Sequence, residues 1–440
     1  MISMMETYQV LVLFIAIILF SILAFKKISA VILGPLLALL VILATQMPIF
    51  DTMLSNYMEV AADYVRRYFL IFFLGALFGV IYQYTHAAES IANQLIKMTK
   101  GKYTASLIMF ITGILTFGGI SGFVVFFAIY PIAVQLFKDS NLTRRLMPAA
   151  ISAGTWTWSM NAPGSPSIQN IIPMRSLGTS SMASPVAGFA AMFAQIILIV
   201  LWLEYRSKKL TARGIVFDDP LLKPIEGIGK VYKDEELPSP LLAIIPPILI
   251  LVLFNILKFP LEGAVLGGCI CAIIFFYKRI EKGVEGWIEV LNKGAQNSVI
   301  AIMNTALVVG FAGVVSKTKG FSVLIDKLKS MKLSPAWFVA ITVSIAAGAA
   351  GSASGGLGVA FAALGDVYKT LPISPESIHR IAAIAAGTLD SLPHQGAQIT
   401  LLAICGLTHK EGYLDIGVTQ ILIPFIALAG VCIPLIQLGF

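Results

Sequence analysis

Runs of apolar residues long enough to cross the hydrocarbon of a bilayer as a helix, which takes about 20 residues, recur along the whole chain. They cover 8–25, 29–47, 68–85, 183–203, 240–257, 261–277, 294–316 and 413–436. In lipid each backbone N–H and C=O must be satisfied within the protein, so such runs become helices. The alternative, a barrel, requires alternating strands of roughly ten residues, and the sequence has none. Composition agrees: 12% of residues are charged, against roughly 25% in a soluble domain. The chain reads as an all-α polytopic membrane protein. Its net charge of +8 belongs to Lys and Arg in loops at the membrane surface, and no motif points to a nucleic acid.

Against this background two stretches break the helical pattern at membrane depth. Ala382–Gln398 reads AAIAAGTLDSLPHQGAQ, starting as an apolar helix and then filling with Gly, Pro and polar residues. Its first part repeats an earlier segment: Ala149–Thr155 is AAISAGT, and Ala382–Thr388, 233 residues later, is AAIAAGT. At the same offset Gly118–Gly122 (GGISG) matches Gly351–Gly355 (GSASG). Each glycine-rich pair or triplet lies between two apolar arms too short to span. That predicts two re-entrant hairpins, 103–137 and 335–368, each followed by a broken helix, 147–172 and 378–405. Residues 1–203 then form one repeat, 204–239 a polar cytoplasmic linker, and 240–440 a second repeat. An odd number of crossings before the linker inserts the second repeat upside down. The expected architecture is two inverted repeats, each of about five transmembrane helices plus one re-entrant hairpin and a broken helix, a layout of secondary transporters. The Lys26-Lys27 turn sets the first loop on the cytoplasmic side. Asp51–Asp63 and Lys278–Asn292 read as interfacial segments, and His86–Lys102 and Lys317–Lys332 as amphipathic ones.

Irregular backbone at membrane depth lines a cavity or is buried in protein, so the tips and breaks are the candidate site. Helix N-termini there carry partial positive charge and favour an anion. Gly119 lets the backbone turn, while Ser121, Ser352 and Ser354 donate from the tips. Thr155, Asn161, Ser165, Thr388 and Gln395 donate from the breaks. Any single hydroxyl also has its own helix backbone as a partner. Asp390 is an acidic residue placed within a break, without an acidic counterpart in the first repeat. Burial favours a neutral carboxyl, which makes it the candidate proton-coupling group. His394, four residues on, titrates near neutrality, binds the anion or satisfies a backbone group. Trp156 and Trp158 read as core, and Asp366 and His379 as solvated residues at membrane edges. Cys269, Cys271, Cys405 and Cys432 lie in apolar runs without zinc spacing and read as small buried hydrophobes. The sequence lacks a phosphate loop and an H-E-x-x-H helix, so it offers neither an ATP-driven pump nor a protease. No cofactor is expected beyond a coupling ion.

Hairpin and broken helix in each half resemble the ion transporter superfamily of anion symporters. Within it, Ala386–Gly412 (AGTLDSLPHQGAQITLLAICGLTHKEG) is similar to the gluconate:proton symporter family, in particular to short members for gluconate, hydroxybutyrate and related hydroxy acids. The resemblance implies a homodimer in the cell's inner (plasma) membrane, with hairpins and broken helices moving as a transport domain against a scaffold, an elevator-type mechanism. It implies import of a small organic anion with protons. The alternative keeps the fold and changes the ion: a sodium-coupled di- or tricarboxylate transporter, citrate-type substrates included. Dicarboxylate relatives typically carry Ser-Asn-Thr at both tips, and here the tips read GGISG and GSASGG, which favours a monocarboxylate.

Overall fold

The computed structural model describes residues 4–25, 28–99, 103–120, 122–222, 232–330, 333–393 and 395–440. The Lys26-Lys27 turn, Ser121 and His394 lie outside the described residues. Among those described, all regular structure is helical.

The first half begins with α1 (Met4–Phe25) and α2 (Ala30–Ala44). A long rod follows: α3 (Ile49–Thr52), a π-helical turn, and α4 (Glu59–Tyr84). Then come the amphipathic α5 (Ala87–Thr99) and the first hairpin, α6 (Thr104–Phe117) and α7 (Gly122–Asp139). The first broken span is α8 (Met147–Trp156), α9 (Trp158–Asn161) and α10 (Ile168–Leu177), and α11 (Pro185–Thr211) completes the half. The second half passes through the same series. It opens with α12 (Pro240–Leu251), α13 (Leu261–Phe276), the long α14 (Val284–Val315) and the amphipathic α15 (Lys319–Ser330). The second hairpin is α16 (Pro335–Ala350) and α17 (Ala353–Lys369), and the second broken span α18 (Pro375–Leu389) and α19 (Gly396–Ile404). Three short helices joined by π-helical turns close the chain: α20 (His409–Gly417), α21 (Ile423–Ala427) and α22 (Ile433–Gln437). Among the described residues five helical segments are long and apolar enough to cross a membrane, and further shorter apolar helices accompany them.

The helices sort into two groups. α4 packs along α14, with α2 on α14 and α13 on α4. The hairpins and broken spans pack on one another: α6 on α8, α16 on α18, α10 on α18 and α20 on α8. The second hairpin's open end, at Asp366 and Lys369, lies beside the start of α4 at Glu59 and Asp63. The first hairpin packs on α5, which follows the end of α4. The two hairpins thus enter from opposite ends of α4.

Two segments expected to lie at the interface are built into long helices. Asp51–Asp63 is continuous with the span after it, as one 36-residue segment from Ile49 to Tyr84. Residues 284–292 likewise belong to the 32-residue α14. At 1.5 Å per residue the first rod is about 54 Å long, well beyond the ~30 Å hydrocarbon thickness. Its polar residues Asn56, Glu59, Asp63 and Arg67 face a cavity of about 830 Å³ against α10 and α17. Polar side chains on that face therefore do not force the helix down onto the interface. α11 also continues to Thr211, past Leu203, because its charged end is held: Arg206 pairs with the buried Asp415 of α20 at 2.6 Å.

Candidate functional site

The hairpin tips are built by glycine. Gly119 has φ +94° in the first tip and Gly351 has φ +56° in the second, conformations in which a Cβ is strained. Inside the second hairpin a side chain on Gly356 would collide with the Ala347 backbone, so this glycine lets α16 and α17 lie in contact. The two tips then differ. The first is packed shut: Gly118 abuts Pro247, and Gly119 faces Ile250 and Pro166. The second borders a cavity of about 580 Å³ between the two groups of helices.

That cavity has Gly351, Ser352 and Gly355 of the second tip on one side and Gly396, Ala397 and Thr400 of α19 beside them. Ser29 at the start of α2, with Asn304 and Thr305 from the middle of α14, faces them. Two helix N-termini, those of α17 and α19, therefore meet at one space. The first turn of a helix has amide N–H groups without intrahelical partners, and the two macrodipoles add at the cavity. Ser352 caps α17 by accepting from the Gly355 N–H at 3.2 Å and lies 3.2 Å from Ser354 Oγ. Among the described residues no Asp, Glu, Lys or Arg lines the wall. Hydroxyls, amides and helix ends define its chemistry.

Several hydroxyls expected to meet a ligand are turned to backbone instead. Thr155 Oγ1 donates to Ile151 O at 2.8 Å, and Ser165 Oγ to Ser159 O at 2.7 Å. Thr388 Oγ1 lies 2.6 Å from Ala385 O and 2.9 Å from Ser344 Oγ on α16, tying the break to the hairpin arm. Asn161 exchanges amide hydrogen bonds with Gln195 of α11 at 3.3 and 3.4 Å. Gln395 is the N-cap residue of α19 and is buried. Trp158 is core, with its Nε1 on Met109 Sδ at 3.2 Å.

Asp390 sits off the cavity wall, 3% exposed. Ser391 Oγ is 3.2 Å from its carboxylate and 3.1 Å from Gln420 Oε1. Gln420 lies in the π-helical turn after α20, also accepts from Gln398 Nε2 at 2.6 Å, and donates to Ser152 Oγ on α8. The carboxyl thus belongs to a buried polar chain joining both broken spans. No ion pair involves it among the described residues.

The sequence expectation for His379 is corrected. It is fully buried, with Nδ1 2.7 Å from Thr179 Oγ1 and Nε2 3.2 Å from Asn170 Oδ1. The 178–184 loop and the first break fold over the start of α18, so this membrane-edge position is covered by protein. Asp366 is exposed as expected. The neighbour of His379, Arg380, has no role in the sequence reading and is fully buried. Its guanidinium donates to Ala183 O at 3.0 Å, Ser181 O at 3.1 Å, Asn170 Oδ1 at 3.1 Å and Asn161 O. It stitches the unwound first break to the second broken span. The signal available in sequence was an Arg directly before the apolar run Ile381–Gly387.

Broken spans, paired hairpins and an interior cavity at the second tip define a polytopic membrane protein with the layout of a transporter. The chain is 32% identical over 438 residues to the uncharacterized transporter YxjC of Bacillus subtilis (strain 168), covering 89% of this chain and 92% of that one. It belongs to the family of that transporter. No family model matches it. Its fold is similar to the crystal structure of the YdaH transporter of Alcanivorax borkumensis, described as having an unusual topology. The TM-score is 0.60 at 13% identity, over 88% of this chain and 87% of that one.

Proposed function

We propose that the protein is a secondary active symporter that imports a small organic anion, a gluconate-like or other hydroxy monocarboxylate, with protons. The observation that carries this reading is the convergence of the α17 and α19 N-termini on one cavity without charged side chains among the described residues. Such a site attracts a single carboxylate through oriented amides. The anion sits between the hairpin group and the α4–α14 group, and transport moves the first group against the second as an elevator, the protein working as a homodimer in the plasma membrane. Asp390 is the proton-coupling group. Set in the polar chain that joins both breaks, it acts through the position of the broken helices, not by lining the cavity. Ionised without a cation beside it, the buried carboxyl is costly; protonated, it lets the spans pack closed.

Sodium in place of the proton is the second reading. The buried amide oxygens of Gln395 and Gln398 have no hydrogen-bond partner among the described residues, and oxygen atoms of that kind suit a hard cation. A thermal-shift screen of purified protein against carboxylates, at two pH values with and without sodium, tests both. A ligand of the folded state raises the melting temperature. A shift by hydroxy monocarboxylates without sodium is expected, and a shift seen only with sodium selects the second reading.

A further inference from the structure

The hairpin side of the cavity supplies helix ends, and the opposite side supplies something different. Asn304 and Thr305 stand midway along α14 in the run Ala301–Gly310, AIMNTALVVG, where every other residue is apolar or Gly. A primary amide facing lipid at that depth would be unfavourable. Here it faces the cavity instead.

The hydrogen bonds along this wall leave one side-chain amide donor group over. Thr305 Oγ1 donates to Ala301 O at 3.1 Å, and Thr400 Oγ1 to Gly396 O at 2.8 Å. Ser29 Oγ donates to Asn304 Oδ1 at 3.4 Å and accepts from the Val31 N–H at 3.3 Å. Ser352 and Ser354 share a hydrogen bond. Asn304 lines the cavity, its oxygen accepts from Ser29, and its Nδ2 has no partner among the described residues. An uncharged NH₂ group can donate to the lone pair of a hydroxyl oxygen.

We propose that Asn304 is a specificity-determining residue that donates to a hydroxyl on the substrate tail, with the carboxylate at the α17 and α19 N-termini across the cavity. The inference rests on the hydroxy monocarboxylate reading above and adds to it where the hydroxyl is read, on the α14 side. Ser29 is a positioning residue, since its hydroxyl fixes which face of the Asn304 amide points inward.

The test uses purified full-length protein and probe pairs that differ in hydroxylation: 3-hydroxybutyrate with butyrate, and gluconate with hexanoate. Binding is read by calorimetry, and the ligand-free melting temperature checks folding. The parent binds the hydroxylated member of a pair more tightly. Asn304→Leu weakens that member by about tenfold, the scale of one lost hydrogen bond, and leaves its deoxy partner unchanged. Ser29→Ala, a small change at the end of α2, loses part of the same preference and keeps the test open if the leucine variant does not fold. Loss of both probes alike, or an unchanged preference in both variants, overturns the role of Asn304. A parent that binds carboxylates with no preference for the hydroxyl overturns it too. A parent that binds none of the four probes contradicts the anion reading itself, and the inference falls with it.

Discussion

Gly358 of α17 lies so close to Val309 of α14 that a Cβ on it would come within 2.5 Å of Val309 Cγ2 and 2.9 Å of Tyr64 Cε2. The cavity at the second tip ends on α17 at Gly355, and the charged cavity beside α4 begins on that helix at Gly358. One helical turn therefore separates the two spaces, with Gly358, Val309 and Tyr64 as the partition. Gly358→Ala must push α17 away from both neighbours. Overpacking of this kind costs about 1–3 kcal/mol, and a lower melting temperature with slower transport is expected. Gly365→Ala on the same helix is the control, because its Cβ would meet only Phe361 Cδ1 at 3.9 Å. Equal melting temperatures for the two variants would show that the partition relaxes freely.

Arg380 holds four acceptors from the first break and the loop after it. Replacing it takes a donor from each: Ser181 O keeps the Gly164 N–H at 3.0 Å and Asn170 Oδ1 keeps His379 Nε2 at 3.2 Å, and any buried oxygen left unsatisfied costs about 1–3 kcal/mol. Arg380→Met should lower the melting temperature more than any single hydroxyl deletion at the breaks. Arg380→Lys restores the charge but not the planar fork, so its recovery should be partial. Full recovery by lysine would make charge, not geometry, the property that matters.

The segment after α11 is anchored through Asp219, which accepts from Arg145 Nη2 at 2.7 Å and from the Leu221 N–H at 3.0 Å. Burial works to raise this carboxyl, and the Leu221 N–H and the Arg145 guanidinium outweigh it, holding it below its ordinary value of 3.8. A carboxyl with a depressed folded-state pKa stabilises above the unfolded value and loses that contribution as pH falls through the folded one. Asp219→Asn should therefore melt lower than the parent at pH 7, with the gap closing in strong acid. A gap that stays constant with pH would rule out the charge as its source.

Asp390→Asn imitates the protonated carboxyl in the chain to Ser391 and Gln420. It should bind and exchange substrate with little dependence on pH, yet fail to accumulate it. A variant that accumulates substrate like the parent, with the parent's pH profile, makes Asp390 structural.

How far the sequence could be read depends on what each residue type reveals alone. Gly, Pro and hydroxyl residues inside apolar runs mark an interruption wherever they occur, and α6 with α7, α8 to α10, α16 with α17 and α18 with α19 are the helices that carry these interruptions. Matching letters do not secure matching roles. Gly154 lets α8 touch the Met109 and Gly113 backbone of α6, whereas its repeat-mate Gly387 carries the non-helical φ −87°, ψ 17° beside Asn161. Asn304 sits in an apolar run, and no repeat or turn residue marks it. His379 and Arg380 were not legible because what buries them is the 178–184 loop and the first break, some 200 residues away in sequence. The continuous rods are not legible because polar residues on a cavity-facing helix look, in one dimension, like residues at an interface.

The most direct measurement is uptake of a labelled hydroxy monocarboxylate by proteoliposomes under an imposed pH gradient, acid outside, in sodium-free buffer. The account predicts internal substrate above the external concentration, collapsing when a protonophore is added. Uptake that stops at the external concentration, or that rises above it only when sodium is supplied, would contradict proton-driven symport.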